Sequence, residues 1–277
     1  MRVVLSTLGT LGDLLPYLAL GRTLQAKGHR VRVAASPSLC QHVLRARLEA
    51  FPCYPDLSPE LIRRHHRAFD HWPDASRGGL TPENGDQQET FDIDYRIRDL
   101  LLVCRGADLL IRNSTMTGEG IVQEILGVRS VHALVTPERL WHARFQNLLN
   151  ELESGETSRN PEARRHFRWH QRCRQRAGLP EIPLNGWKGY YRPPALVGTS
   201  RHVLESFDTS LWNGRLCGFW FYDAPRWRSW QPDRELVAFM EHSPPPIVLS
   251  FSSQLVADPA QVVKLHQDAA RRLGCRR

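Results

Sequence analysis

Five residues near the amino terminus, Gly9-Thr10-Leu11-Gly12-Asp13, have the types and spacing to hold an anion and to move a proton. They follow a short apolar run, Arg2–Leu8, and precede a helical pattern. In an open parallel sheet, ligands bind at the carboxyl ends of strands. Two glycines let a backbone approach a ligand closely, and a helix start presents free N–H groups to negative charge. Asp13 at such a point can accept a proton from a substrate hydroxyl. Capping the helix is the other use of an Asp here, and the turn alone leaves both open. The spacing G-x-x-G-D is not the G-x-G-x-x-G of a dinucleotide site. The second strand ends in Ala34-Ala35-Ser36-Pro37, with no acid for a ribose. No Walker-type Lys-Ser/Thr follows the glycines either, so nicotinamide and P-loop chemistry are not expected.

Other candidates are fewer. Asn113-Ser114-Thr115-Met116-Thr117 follows a second predicted strand, so Asn113 and Thr117 face the same edge, as ligand contacts or as caps. His132 lies within an apolar strand and reads as a satisfied core residue. His65, His66 and His71 lack a third ligand at metal-binding spacing, so no metal site is expected. No G-x-S-x-G occurs, which leaves a hydrolase nucleophile unsupported. A run of arginines (Arg159, Arg164, Arg165, Arg168, Arg172, Arg174 and Arg176) carries Phe167 and Trp169 among them. It fits a solvated charged helix, an anionic membrane surface or, without a recognised module, nucleic acid. No nucleic-acid partner is expected.

The elements that must position these residues follow from periodicity. Arg2–Leu8 reads as a buried parallel strand, because it is apolar throughout and stops at glycine. Leu14, Tyr17, Leu18, Gly21 and Leu24 recur at helical steps up to Lys27-Gly28, and His29–Ala35 alternates as a second strand. Strand, turn, helix and strand within 35 residues make a βαβ unit. The alternation continues with a helix at Pro37–Ala46, a strand at Glu49–Tyr54, a helix at Thr90–Arg105, a strand at Ala107–Ile111, a helix at Gly118–Leu126 and a strand at Arg129–Val135. Asp56–Gln88 is polar, broken by Pro and Gly, and reads as an insertion with one helix near Pro59–Phe69. Helices are expected at Leu140–Leu152 and Glu162–Ala177, and strands at Ala195–Ser200 and Leu216–Phe221. A Trp- and Pro-rich linker over 223–246 leads to a fresh strand, Ile247–Phe251, and a helix, Pro259–Leu273. The fold class is therefore α/β, a Rossmann-like parallel sheet flanked by helices, with domain 1–222, linker 223–246 and an incomplete second domain at 247–277.

Residues 6–35 resemble the amino terminus of glycosyltransferases of the B fold, in the branch of the bacterial antibiotic and the sterol or lipid enzymes. That family opens with a motif similar to G-[ST]-R-G-D-x-x-P-x-x-A-L, then G-H-x-V. Gly9, Thr10, Gly12, Asp13, Pro16, Ala19, Leu20, Gly28, His29 and Val31 match, and Leu11 departs where Arg is usual. The likeness continues at Ala107–Ile111 and at Pro244–Ser253, where Phe251-Ser252-Ser253 stands for Phe-Gly-Ser. The resemblance implies an acceptor-binding first domain and a second domain for the nucleotide-sugar. It implies Asp13 as catalytic base in an inverting transfer of a hexose or deoxyhexose to a hydrophobic acceptor's hydroxyl. It further implies donor contacts at Thr10, Gly12 and Ser253 and acceptor contacts at Asn113 and Thr117, with no metal and no cofactor beyond the nucleotide-sugar. No H-G-G-x-G-T segment occurs in the 277 residues. The chain alone is therefore expected to be catalytically silent, and the alternative is a non-catalytic acceptor-binding fragment or pseudoenzyme.

Composition agrees with a globular chain. Apolar residues make up 41% and charged residues 24%, and 277 residues suffice for a core without staples. Lys and Arg number 37 against 29 acids, giving +8, with only Lys27, Lys188 and Lys264 as lysines. This charge favours anionic partners such as phosphates or anionic headgroups. Six scattered Cys without a CxxC pair read as reduced, small buried hydrophobes. No run of 18 apolar residues exists, and Asp13 and Pro16 interrupt what would be a signal sequence. A cytoplasmic location is expected, with peripheral membrane contact as an option.

Overall fold

The computed structural model describes residues 1–56, 93–113, 117–135, 161–183, 194–202, 214–224, 229–242 and 258–274, with isolated positions between 225 and 250. The chain divides into two compact units, and the described part of the first ends at Tyr222. Its sheet has seven strands: β1 (Arg2–Ser6), β2 (Arg30–Ala35), β3 (Glu49–Pro52), β4 (Leu109–Arg112), β5 (Arg129–Leu134), β6 (Ala195–Val197) and β7 (Gly214–Leu216). Their order is β3-β2-β1-β4-β5-β6-β7, and every pairing is parallel. A parallel strand needs a crossover to its neighbour, and helices supply those among the described residues. They are α1 (Leu11–Ala26), α2 (Cys40–Arg45), α3 (Ile93–Cys104), α4 (Thr117–Leu126) and α5 (Pro161–Arg176).

The two faces of the sheet carry separate cores. Val3, Leu5, Val31, Val33, Ile111 and Ala133 pack with Leu14, Tyr17 and Leu18 of α1 and Val43 of α2. Val4, Ala34 and Leu110 pack on the other face with Ile93, Ile97 and Leu100 of α3, Ile121 and Val122 of α4 and Cys173 of α5. Burial on both faces explains why β1 reads as an unbroken apolar run. At Gly21 α1 lies close against Leu5 and Val31 of the sheet and Leu48 beside it. A Cβ there would stand 2.8 Å from Leu48 Cδ1 and 3.1 Å from Leu5 Cδ1.

Several boundaries differ from the sequence expectation. β1 stops at Ser6 rather than Leu8, β6 at Val197 rather than Ser200, and β3 at Pro52 rather than Tyr54. The strand expected over Leu216–Phe221 lies earlier, at Gly214–Leu216, and Cys217–Tyr222 continues outside the sheet. There the exposed rings of Phe219 and Phe221 lie tilted against each other, with centroids 5.7 Å apart. The helix expected at Pro37–Ala46 is a short 3-10 turn, Pro37–Leu39, followed by α2. The helices at Pro59–Phe69 and Leu140–Leu152, the polar insertion and the strand at Ile247–Phe251 fall outside the described residues or on isolated positions.

In the second unit, the stretch read as a linker contains a helix, α6 (Arg234–Glu241), started by the Asp233 carboxylate, which accepts from Leu236 N. The Trp and Pro residues around it obscure an eight-residue pattern in the sequence. A last helix, α7 (Pro259–Arg272), has Pro259 in its first turn and Asp258 as its cap. Both caps satisfy a helix-start N–H that lacks an intrahelical acceptor.

The arginine-rich segment is not uniformly solvated. Arg174 is 2% exposed, and its two terminal nitrogens reach both oxygens of Glu124 on α4 at 2.6 and 2.8 Å. Its Nε donates to the Pro180 carbonyl, and the Gln171 side chain exchanges two hydrogen bonds with the Ile182 backbone. Arg174 therefore clamps α5 and the turn after it onto α4. Arg168 and Arg172 are exposed, and Arg176 pairs with Asp94 at the surface. Arg174→Ala is expected to cost about 2–3 kcal/mol, less than a wholly buried pair because Glu124 is partly in water. Arg172→Ala should change stability by less than about 0.5 kcal/mol. Urea unfolding of the two variants checks the difference, and equal midpoints would contradict the clamp.

Candidate functional site

The strand order reverses direction between β1 and β4. Those strands leave the sheet toward helices on opposite faces, so their carboxyl ends border the crevice where open α/β sheets bind ligands. The turn after β1 and Asn113 after β4 occupy that border. Asn113 N donates to Ser6 O at 3.1 Å, and Thr7 N donates to Ala34 O at 3.1 Å. The last residues of β1 are thus held from both neighbouring strands.

The turn itself is built around the Asp13 carboxylate. Thr10 has extended backbone and is the N-cap of α1, so Asp13 is the third helical residue rather than the cap. This corrects the capping alternative. Asp13 closes a capping box from inside the helix, where Oδ2 accepts from Thr10 N at 2.7 Å and from Thr10 Oγ1 at 3.2 Å. Gly9 has φ +138°, and a Cβ on it would stand 2.1 Å from Asp13 Oδ2. Only glycine leaves the carboxylate room in that position. Among the described residues no hydrogen bond uses Asp13 Oδ1, and the side chain is half-buried. One oxygen anchors the carboxylate, and Oδ1 takes no part in that anchoring.

Behind the turn lies a polar group that periodicity did not single out. Arg96 of α3 and Glu119 of α4 are both fully buried and ion-paired at 2.5 Å. Ser6 Oγ donates to Glu119 Oε1 at 2.7 Å and accepts from Arg96 Nη2 at 3.0 Å. Arg96 Nη1 donates to Tyr54 O at 3.1 Å and contacts Cys53 Sγ at 3.4 Å. The signal was present: Arg96 falls three residues after Ile93 and four before Leu100, on the buried stripe of α3. A charge on such a stripe requires a buried partner.

The same rung of the sheet aligns Ser6, Arg112 of β4 and His132 of β5. His132 is buried as expected, but it is not a satisfied histidine, since neither ring nitrogen has a hydrogen-bond partner among the described residues. Burial and then the Arg112 charge hold its pKa well below the usual histidine range. Cys53 and Cys104 are buried, and burial pushes both thiols up to about 12. Cys173 is buried too, while Cys40 is half-buried and Cys217 exposed. The reading of the cysteines as buried hydrophobes therefore holds for three of the five described.

Thr10, Gly12 and Asp13 share one turn, and the structure brings Asn113 beside it, with its Nδ2 3.5 Å from Leu8 O. Asn113 is 9% exposed, whereas Gly12 is open to solvent. Thr117 begins α4, and its side chain lies outside the described residues, as do Ser253, His65, His66, His71 and the side chains of Phe167 and Trp169. No group of three metal-ligating side chains occurs among the described residues. No helix of the described residues is long and apolar enough to cross a membrane.

This parallel sheet, with a glycine turn and an acidic residue at its switch point, is a Rossmann-like α/β domain. Residues 3–65 match the glycosyltransferase family 28 N-terminal domain, and the chain is similar in sequence to antibiotic and sterol glycosyltransferases. It is 29% identical over 282 residues to the O-mycaminosyltylonolide 6-deoxyallosyltransferase of Streptomyces fradiae, covering 91% of this chain and 61% of that protein. It is 24% identical over 294 residues to the sterol 3-beta-glucosyltransferase of Debaryomyces hansenii, covering 94% of this chain and 17% of that protein. The crystal structure of the glycosyltransferase SnogD from Streptomyces nogalater overlaps 84% of this chain and 55% of its own, at 19% identity and a TM-score of 0.48. The chain thus spans under two thirds of the first of these relatives and under a fifth of the second.

Two outcomes follow from this geometry. Gly9→Ala should destabilise the chain by about 2 kcal/mol or more, because the new methyl displaces the Asp13 carboxylate and the residue stays at positive φ. Thermal unfolding checks this, and an unchanged midpoint would show that the turn does not depend on the fit. For His132, the folded pKa lies below the unfolded value, so the unfolded chain binds the proton first. Stability should fall as the pH drops through about 6.5, by at most about 1.4 kcal/mol per pH unit. Urea unfolding between roughly pH 7 and 5 should show a shallower dependence in His132→Phe than in the parent chain.

Proposed function

We propose that the first unit is the acceptor side of a B-fold glycosyltransferase. The reaction is transfer of a hexose or deoxyhexose from a nucleotide-sugar to a hydroxyl of a hydrophobic acceptor, a natural product, a sterol or a lipid. The observation that carries this reading is the Asp13 carboxylate at the sheet's switch point, anchored through Oδ2 with Oδ1 left for a substrate. The acceptor hydroxyl attacks the anomeric carbon from the face opposite the leaving group, and Asp13 takes its proton as the new bond forms. Inversion at that carbon is the consequence of a single displacement. The nucleoside diphosphate departs with the electron pair of the broken bond, and N–H groups at helix starts stabilise its charge.

In this reading Thr10, Gly12 and Ser253 are donor contacts, and Asn113 and Thr117 are acceptor contacts. The domains are 1–222 for the acceptor, 223–246 as the connecting segment and 247–277 as the start of the donor half. No metal or added cofactor takes part. For a membrane-borne acceptor, the exposed Arg168 and Arg172 give α5 a positive strip toward anionic headgroups. Sedimentation with phosphatidylserine vesicles tests that point, and binding that survives Arg168→Glu with Arg172→Glu would refute it.

The main test is product formation over a panel of nucleotide-sugars and hydrophobic acceptors, with calorimetry for each ligand. The 277-residue chain should bind acceptors and give no turnover, because its sequence contains no H-G-G-x-G-T segment. In a form that carries a donor half, Asp13→Asn should lower turnover by ~10²–10⁴-fold while the unfolding midpoint stays close to the parent value. Near-parental turnover in that variant would return Asp13 to a purely structural role.

A further inference from the structure

We infer that Arg96, acting through Ser6 and Glu119, is a positioning residue for the Asp13 turn; this rests on the glycosyltransferase reading for its catalytic meaning. Arg96 lies on α3, remote in sequence from the turn, yet its guanidinium touches the exits of two strands. Nη2 reaches Ser6, the last residue of β1, and Glu119 at the start of α4. Nη1 reaches the Tyr54 carbonyl just beyond β3. Asp99, one turn further along α3, accepts from Tyr54 N at 3.0 Å, so α3 holds that exit by both backbone groups.

The reason for an ion pair here is geometric. A buried pair roughly breaks even against well-packed apolar residues, so its presence is weak support for stability as the purpose. What apolar residues cannot supply is direction. A guanidinium is a planar fork with fixed donor angles, and the Ser6 hydroxyl both donates and accepts, so its rotation is fixed too. The Ser6 carbonyl is held by Asn113 N and the next amide by Ala34 O. With side chain and backbone of Ser6 fixed, three residues remain before Thr10, whose N–H holds Asp13 Oδ2. A base must reach its proton within about 2.6–3.2 Å. Misplacement of a catalytic group by 1 Å can cost about 10²-fold in rate.

Amide hydrogen exchange on the 277-residue chain tests the linkage without any substrate. Ser6→Ala removes only the bridging hydroxyl. Arg96→Lys keeps the positive charge beside Glu119 but loses the fork. In both, exchange at Thr10 and Asp13 should accelerate by about tenfold or more, while Val33 and Ala133 in the sheet interior change by less than about twofold. A merely structural role would accelerate all four amides together, in proportion to lost stability, and that result would overturn the inference. Unchanged exchange at the turn in Ser6→Ala would overturn it equally, and this variant decides the matter if Arg96→Lys does not fold. Exchange reads the turn whether or not sugar is transferred. Near-parental turnover of Asp13→Asn in a form that carries a donor half, beside the local response, overturns only the glycosyltransferase reading, and a uniform response overturns only the positioning role.

Discussion

Parallel pairing of β1 with strands on both sides is the constraint from which the rest follows. A parallel strand cannot return by a hairpin, so each of its connections must climb over a face of the sheet. Because β2 and β4 flank β1, the chain crosses one face by α1 and reaches β4 after α3 on the other. The carboxyl ends of β1 and β4 are left side by side without a covering strand. Any residue placed just after them, Gly9 to Asp13 or Asn113, stands at the crevice that this reversal creates.

That crevice needs a floor that does not move, and apolar packing alone is poorly suited to the task. Hydrophobic contact is non-directional, and it tolerates small shifts of a strand end. The hydrogen bonds of Arg96, Glu119 and Ser6 are directional and buried, and they join α3, α4, β1 and the exit of β3 at one place. Taking both charges out of water is costly, and a mutual salt link offsets that only when the remaining donors find acceptors. Cys53 and Tyr54 supply them on the Nη1 side, whereas Arg96 Nε and Glu119 Oε2 have no hydrogen-bond partner among the described residues.

The turn above combines two demands on one carboxylate. Helix α1 has N–H groups at its start with no intrahelical acceptor, and Asp13 satisfies the Thr10 amide by folding back on it. The same contact holds the carboxylate still at the sheet's edge. Capping and proton acceptance are then not rivals, because a carboxylate has two oxygens and the cap uses one. Gly9 makes the arrangement possible by leaving empty the space where a Cβ would meet Asp13.

Much of this was legible in the residues alone. The apolar run of β1, the glycine break and the helical spacing from Leu14 to Gly21 define a βαβ unit, since strand and helix have different periods and each buries its own stripe. Asp13 as the candidate base followed from its place between strand and helix. Strand ends were less accurate, because parallel strands stop where their neighbours stop offering partners, and local sequence does not record that. Thr10 rather than Asp13 as the cap depends on one residue's backbone angles. Arg96 and Glu119 stand 23 residues apart on different helices, and only the packing of α3 on α4 makes them a pair. Arg174 looked like one surface charge among seven until the turn at Pro180 and Glu124 enclosed it. The βαβ unit and the place of the glycine turn could be read from the residues alone, because those are local matters of period and turn chemistry. Which charges are interior, and what they hold in place, was decided by long-range packing.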